Sequence, residues 1–90
     1  MPDTTVLPDV VTSEAVRALV TRHAPIEPDG LADTDDLYDA GMSSLASVNL
    51  MLALEDAYEV EFPERMLRRS TFASVAAIRD AVLELLGQRR

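Results

Sequence analysis

Cysteine is absent from this 90-residue chain, which excludes disulfides, thiolate metal sites and cysteine nucleophiles. Any thiol chemistry must therefore be imported. Tryptophan is missing too and aromatics make up only 4% of residues, so the core has to be built from Ala, Leu and Val, a composition that suits packed helices better than a sheet. Positive charge is scarce: 8 basic residues against 16 acidic ones give a formal net charge of −8. A surface of that sign repels phosphate backbones and anionic headgroups, so neither nucleic acid nor membrane is an expected partner. It steers the chain instead toward basic patches on other proteins. No run approaches the length needed to span a bilayer, and Met1–Val11 has no basic segment followed by an apolar stretch, so the expected location is cytoplasmic. A chain this short, 48% hydrophobic, is expected to fold as one monomeric domain with a modest core and no deep catalytic pocket.

What is present is organised in helical periods. Residues 1–12, with Pro2 and Pro8, read as a flexible lead-in, and residues 87–90 as a tail. From Thr12, Val16, Leu19 and Val20 recur at three- and four-residue steps. They predict a first helix capped by Thr12 or Ser13, with Glu14 in its first turn and Pro25 to stop it. Residues 24–43 hold Pro25, Pro28 and Gly30 and then Asp33, Asp35, Asp36 and Asp39. Connections that long are functional or disordered. Leu31, Leu37 and Tyr38 favour the first by supplying apolar anchors, with a helical turn over 35–38. Ser44 to Tyr58 contains neither Gly nor Pro and predicts the strongest helix. Phe62-Pro63 opens a short third helix through Arg69, and a last helix from Ala73 to Leu86 places Val75, Ile78, Val82 and Leu85 or Leu86 on one face, with Ser70 or Thr71 to cap it.

The second helix has one apolar face more than a core needs. Leu50, Met51, Leu54 and Tyr58 form one stripe, whereas Leu45, Val48 and Leu52 form another. Neighbouring helices or a homodimer would cover the second; otherwise it is a contact surface. Glu55, Asp56, Glu59 and Glu61 at the far end of the helix give that surface an acidic rim, as transient protein partners require.

At the start of the same helix, Gly41-Met42-Ser43-Ser44-Leu45 resembles the Gly-x-Asp-Ser-Leu signature of acyl and peptidyl carrier proteins. The likeness extends in order and spacing over residues 13–86: an acidic loop ending in Asp-x-Gly, the run from Leu45 to Tyr58, the Phe-Pro and the final Ser-Val-Ala-Ala-Ile. It implies an all-α fold, a small four-helix bundle of three main helices plus a short third one, with a carrier domain over 13–86. It also implies no catalytic residue and no metal in the chain, and 4′-phosphopantetheine attached to Ser44. A helix start suits that phosphodiester, because unpaired amides and the dipole favour negative charge. Ser43 departs from the family's Asp, retaining a cap but losing a charge beside the attachment point.

The resemblance further implies a docking surface of Leu45, Val48, Asn49, Leu52, Glu55 and Asp56, bordered by Arg65 and Arg68. Its partners would be a phosphopantetheinyl transferase, an amino acid:carrier ligase or acyl-loading enzyme, and downstream acyltransferases or tailoring enzymes. Ala46 and Asn49 stand where fatty-acid carriers are usually acidic, and Arg65, Arg68 and Arg69 make the third helix basic. Glu-Phe-Pro-Glu-Arg-Met-Leu and the Gly-Met-Ser-Ser-Leu-Ala-Ser-Val run look closest to stand-alone aminoacyl carrier proteins, which favours an aminoacyl over a fatty-acid or polyketide cargo.

Other readings are weaker. Asp33-Thr34-Asp35 opens like a calcium loop, but Tyr38 stands where that turn needs glycine and Ser44 where it needs a bidentate Glu, so the four aspartates read as a solvated loop. His23 lacks a second histidine or cysteine and reads as a polar residue near a helix end. Three arginines on an acidic domain are expected to pair with local carboxylates or touch a partner. A helical adaptor that uses only the helix-two surface is the rival of a different class.

Overall fold

Thr12 starts the first helix as its composition predicts: the hydroxyl accepts the Ala15 amide at 3.0 Å, and α1 runs over Ser13–His23. In this computed structural model, which describes residues 10–27 and 29–87, the Ala24 amide returns to the Val20 carbonyl at 2.9 Å, and Ala24 itself turns to extended backbone ahead of Pro25. Val16 and Val20, one turn apart, are fully buried, and Val11 ahead of the helix joins the same core. Val11 thus packs into the core two residues ahead of the expected domain start at residue 13; the remainder of the lead-in, through residue 9, and the tail after Gly87 lie outside the described residues.

The connection from Ala24 to Ser43 is folded onto the core rather than merely solvated. Ile26, Leu37 and Met42 are buried, while Leu31 and Tyr38 pack against them. The acidic run does much of the folding. Asp35 accepts the Ala32 amide at 2.8 Å, Asp36 accepts those of Tyr38 and Asp39 at 2.8 and 3.2 Å, and Asp33 pairs with Arg17 on α1. Such carboxylate-to-amide bonds replace backbone partners that a loop lacks. The Ala40 amide on the Asp36 carbonyl, at 3.0 Å, makes the expected helical turn one step later than residues 35–38. Two long-range bonds tie the connection to the segment that leads into the last helix and to its first turn: Leu37 N–H to the Ala73 carbonyl at 2.7 Å and Ala76 N–H to the Asp33 carbonyl at 2.9 Å.

Helix α2, Ser44–Tyr58, buries Ala46, Leu50, Leu54 and Tyr58, four residues at four-residue steps. It ends at Glu59, whose left-handed φ of 54° lets its amide reach the Glu55 carbonyl. The expected short third helix is instead two 3₁₀ turns, Glu64–Met66 and Arg69–Phe72, and Pro63 caps the first rather than lying inside it. Met66 and Phe72 are both buried. Six residues apart on one α-helix they would lie roughly 120° apart around the axis, at the limits of a single core-facing stripe. Breaking the segment at Leu67 and Arg68 lets Phe72 meet Phe62 at 5.2 Å between ring centroids.

Helix α3, Val75–Gly87, starts later than expected because Ser74, not Ser70 or Thr71, accepts the Ala77 amide at 3.0 Å. Val75, Ile78, Val82, Leu85 and Leu86 form its buried face, and α1 packs against both α2 and α3. The fold is all-α, with three α-helices and no strand among the described residues, and the 3₁₀ segment occupies the place of a fourth helix.

Candidate functional site

Two adjacent serines at the head of α2 do different jobs. The Ser43 hydroxyl accepts the Ala46 amide at 3.0 Å and its carbonyl accepts the Ser47 amide at 3.0 Å, so Ser43 is the cap. Ser44, the first helical residue, is exposed, and its hydroxyl makes no hydrogen bond among the described residues. The Ser44 and Leu45 amides are likewise without a protein acceptor there, as the first turn of a helix leaves them. The approach is set by Gly41, whose φ of +127° turns the chain from the loop into the helix with Met42 buried beneath.

Beside Ser44 lies an open cleft of about 370 Å³ between α2 and the 3₁₀ segment. Val48, Met51, Leu67 and Phe72 form its apolar wall, and Tyr38, Arg68 and Arg69 its polar rim. The Arg69 guanidinium lies 3.9 Å from the centre of the Tyr38 ring, and Arg68 is tethered by its Nε to the Arg65 carbonyl at 3.0 Å. A chain fold, not a sequence period, makes this cleft. Met51 packs against the core, as its stripe predicts, and also lines the cleft, where the fold of the 3₁₀ turns places Leu67 and Phe72 beside it; in sequence only the excess of arginine over carboxylate at residues 65–69 points to this.

The second stripe of α2 is left uncovered. Leu45, Val48 and Leu52 are 71%, 48% and 53% exposed, and Asn49 and Asp56 share that exposure. Glu55 is employed differently from the others: it is half-buried, and one carboxylate oxygen accepts the Phe62 amide at 2.9 Å, anchoring the chain after α2. The three arginines also separate. Arg65 pairs with Glu84 of α3 at 3.0 Å and does not line the cleft; Arg69 lines the cleft beside Ser44, and Arg68 borders both that cleft and the neighbouring depression that contains Arg65, Asp80 and Glu84. His23 sits in the last turn of α1. No group of three or more His, Asp or Glu among the described residues is arranged to hold a metal ion.

Residues 14–82 match the family model for the phosphopantetheine attachment site. The chain belongs to that family. Within the phosphopantetheine attachment family, an aminoacyl carrier protein of Agrobacterium fabrum strain C58 is 52% identical over 62 residues, covering 69% of this chain and 75% of the relative. An acyl carrier protein of Zymomonas mobilis is 29% identical over 72 residues, 79% of this chain and 86% of its own. Among solved structures, the crystal structure of an engineered Bradyrhizobium japonicum glycine:carrier protein ligase complexed with carrier protein from Agrobacterium tumefaciens and ATP contains a chain that is 44% identical, superposes with a TM-score of 0.72, and overlaps 78% of this chain and 94% of that one. The bundle with its 3₁₀ segment is thus the carrier-protein fold, and the family's prosthetic group is a covalently attached phosphopantetheine. The residues around Ser44 fit such a group: an exposed, unbonded hydroxyl, unpaired amides at a helix start and two cationic side chains on an adjoining apolar cleft.

Proposed function

We propose that Ser44 carries 4′-phosphopantetheine and that the domain holds an aminoacyl group, through that arm, for partner enzymes to load and use. The observation that carries this reading is the free, exposed Ser44 hydroxyl at the first residue of a helix already capped by Ser43. The attached group supplies a thiol, on which the cargo rides as a thioester, and so provides the sulfur that the chain's own composition lacks. The chain itself catalyses nothing. Its residues present the arm, and tethering raises the cargo's local concentration for whichever enzyme is docked.

Aminoacyl rather than fatty-acyl or polyketide cargo is favoured by the greater identity to the aminoacyl carrier than to the acyl carrier, and by Ala46 and Asn49 in place of acidic residues. An amino acid:carrier ligase is the loading enzyme this implies. It docks on Leu45, Val48, Asn49, Leu52 and Asp56, with Arg68 bordering the arm; Glu55 and Arg65 support that surface through Phe62 and Glu84. A phosphopantetheinyl transferase attaches the arm, downstream acyltransferases or tailoring enzymes receive the cargo, and the location is the cytoplasm. No helix among the described residues is long and apolar enough to cross a membrane.

The test is intact-mass analysis. Incubation with coenzyme A and a broad transferase is expected to add the mass of phosphopantetheine to the wild type and none to Ser44→Ala, and a ligase with ATP and amino acid then adds one residue. A helical adaptor predicts the opposite: no mass change with any transferase, and full partner binding by Ser44→Ala.

A further inference from the structure

The cationic rim of the cleft beside Ser44 is left without counter-charge, in a chain that carries twice as many acidic as basic residues. Arg17 pairs with Asp33, Arg65 with Glu84 and Arg79 with Asp80, yet Arg22, Arg68 and Arg69 enter no ion pair among the described residues, and of these three only Arg68 and Arg69 line the cleft. Both are exposed, and both are held in place by other means: Arg68 through its Nε on the Arg65 carbonyl, Arg69 by stacking on Tyr38. The chain has sixteen acidic residues against eight basic ones, so two adjacent unpaired guanidinium groups on one rim form a local positive spot on an acidic surface. Two guanidinium groups, each with one local contact and no carboxylate partner, that line an apolar cleft together with an exposed hydroxyl can receive an anion that comes with the modification.

We propose that Arg68 and Arg69 hold the phosphodiester of the arm on Ser44 and turn the arm into the cleft over Met51, Leu67 and Phe72. This rests on the reading that Ser44 carries phosphopantetheine, and adds a resting position and the residues that set it. A planar guanidinium binds two phosphate oxygens at once, which a lysine ammonium does not, so the contact defines a direction as well as an attraction. The cleft then accepts the apolar part of the arm next to the phosphate. The contact also offsets the repulsion that a net charge of −8 imposes on a further negative group. Arg68 and Arg69 are positioning residues here, because they act on the arm and not on a reacting bond.

The experiment uses the full chain, converted with coenzyme A and a transferase and checked by intact mass, as wild type, Arg68→Gln, Arg68→Gln with Arg69→Gln, Arg68→Lys with Arg69→Lys, and Arg65→Gln as a control that breaks an ion pair away from the cleft. The readouts are the ³¹P resonance of the phosphodiester at low and high salt and, with and without the arm, the amide resonances of Met51, Leu67 and Phe72 and the methyl resonances of Met51 and Leu67. The wild-type ³¹P resonance is expected to move with salt, and the double Gln variant to sit, already at low salt, where high salt puts the wild type. The Lys pair recovers part of the difference and Arg65→Gln leaves it intact. Attachment moves the cleft resonances in the wild type and much less in the double Gln variant. Should Arg69→Gln loosen the loop by releasing Tyr38, seen as a lowered unfolding midpoint, Arg68→Gln alone decides. A normal mass gain with ³¹P and cleft resonances identical in wild type and variants overturns the proposal and leaves the Ser44 reading standing. No mass gain in the wild type overturns both.

Discussion

Ser43 caps α2 through the Ala46 amide at 3.0 Å, and in doing so leaves the neighbouring Ser44 with no structural duty. Removing the first hydroxyl should therefore cost stability and removing the second should not. Ser43→Ala is expected to lower unfolding free energy by about 1 kcal/mol, the usual worth of an N-cap. Ser44→Ala is expected to match the wild type within about 0.5 kcal/mol in a denaturant titration while abolishing attachment of the arm. Equal destabilisation by the two would place the cap on the wrong serine.

Glu55 and Asp56 are adjacent and acidic but should respond differently to charge reversal. Glu55→Lys deprives the Phe62 amide of its acceptor and is expected to cost about 1–3 kcal/mol. Glu55→Gln keeps an acceptor oxygen and recovers most of that. Asp56→Lys, on the exposed surface, leaves the unfolding midpoint nearly unchanged and slows ligase loading, the more so at low salt. Loading rates that ignore Asp56→Lys would remove this end of α2 from the docking surface.

The uncovered stripe makes a matching prediction. Leu45→Ala and Leu52→Ala should shift stability by no more than about 0.5 kcal/mol, since both side chains are largely in solvent. Leu50→Ala, from the opposite face and fully buried, should cost about 2–5 kcal/mol. The two exposed variants are expected to raise the KM of the loading reaction for the carrier, with kcat little changed.

Gly41 is a backbone requirement. At its φ of +127°, alanine is strained although a Cβ would meet nothing nearer than the Pro25 carbonyl at 3.5 Å. Gly41→Ala is expected to cost about 1–3 kcal/mol, measured by thermal unfolding, and to slow the transferase because the Ser44 turn is displaced. A variant as stable as wild type would show that the loop can reach α2 by another route.

Burial raises the pKa of the Tyr58 phenol above its ordinary value of 10.0. The folded chain therefore keeps this proton at a pH where the unfolded chain has released it, and the unfolded state binds fewer protons. By linkage, stability is unaffected below about pH 10 and falls as pH rises beyond it. Tyr58→Phe should flatten that alkaline decline in a series of denaturant titrations; an unchanged decline would assign it to other groups.

Local patterns carried much of the architecture. The Val16–Val20 step, the four-residue spacing from Leu50 to Tyr58 and the cap at Thr12 are readable in sequence because a helix relates residues that are close along the chain. The exposure of Leu45, Val48 and Leu52 was legible for the same reason: one helix in a small domain cannot bury two faces. The segment after Pro63 was less so. Its propensities allow a helix, but the segment forms two 3₁₀ turns that bury both Met66 and Phe72, a fit to the surrounding core that local sequence does not encode.

By itself the sequence determined that the chain is helical, acidic and free of thiols, where its longest helix begins, and that a serine stands at that beginning in a carrier-like setting. Tertiary structure decided that Glu55 holds Phe62, that Asp33 pairs with Arg17 on α1, and that Arg68 and Arg69 line one cleft with Ser44. The physical reason is range. Helical periodicity and capping act over three or four residues, whereas contacts such as Leu37 to Ala73 depend on how the whole chain closes around one core.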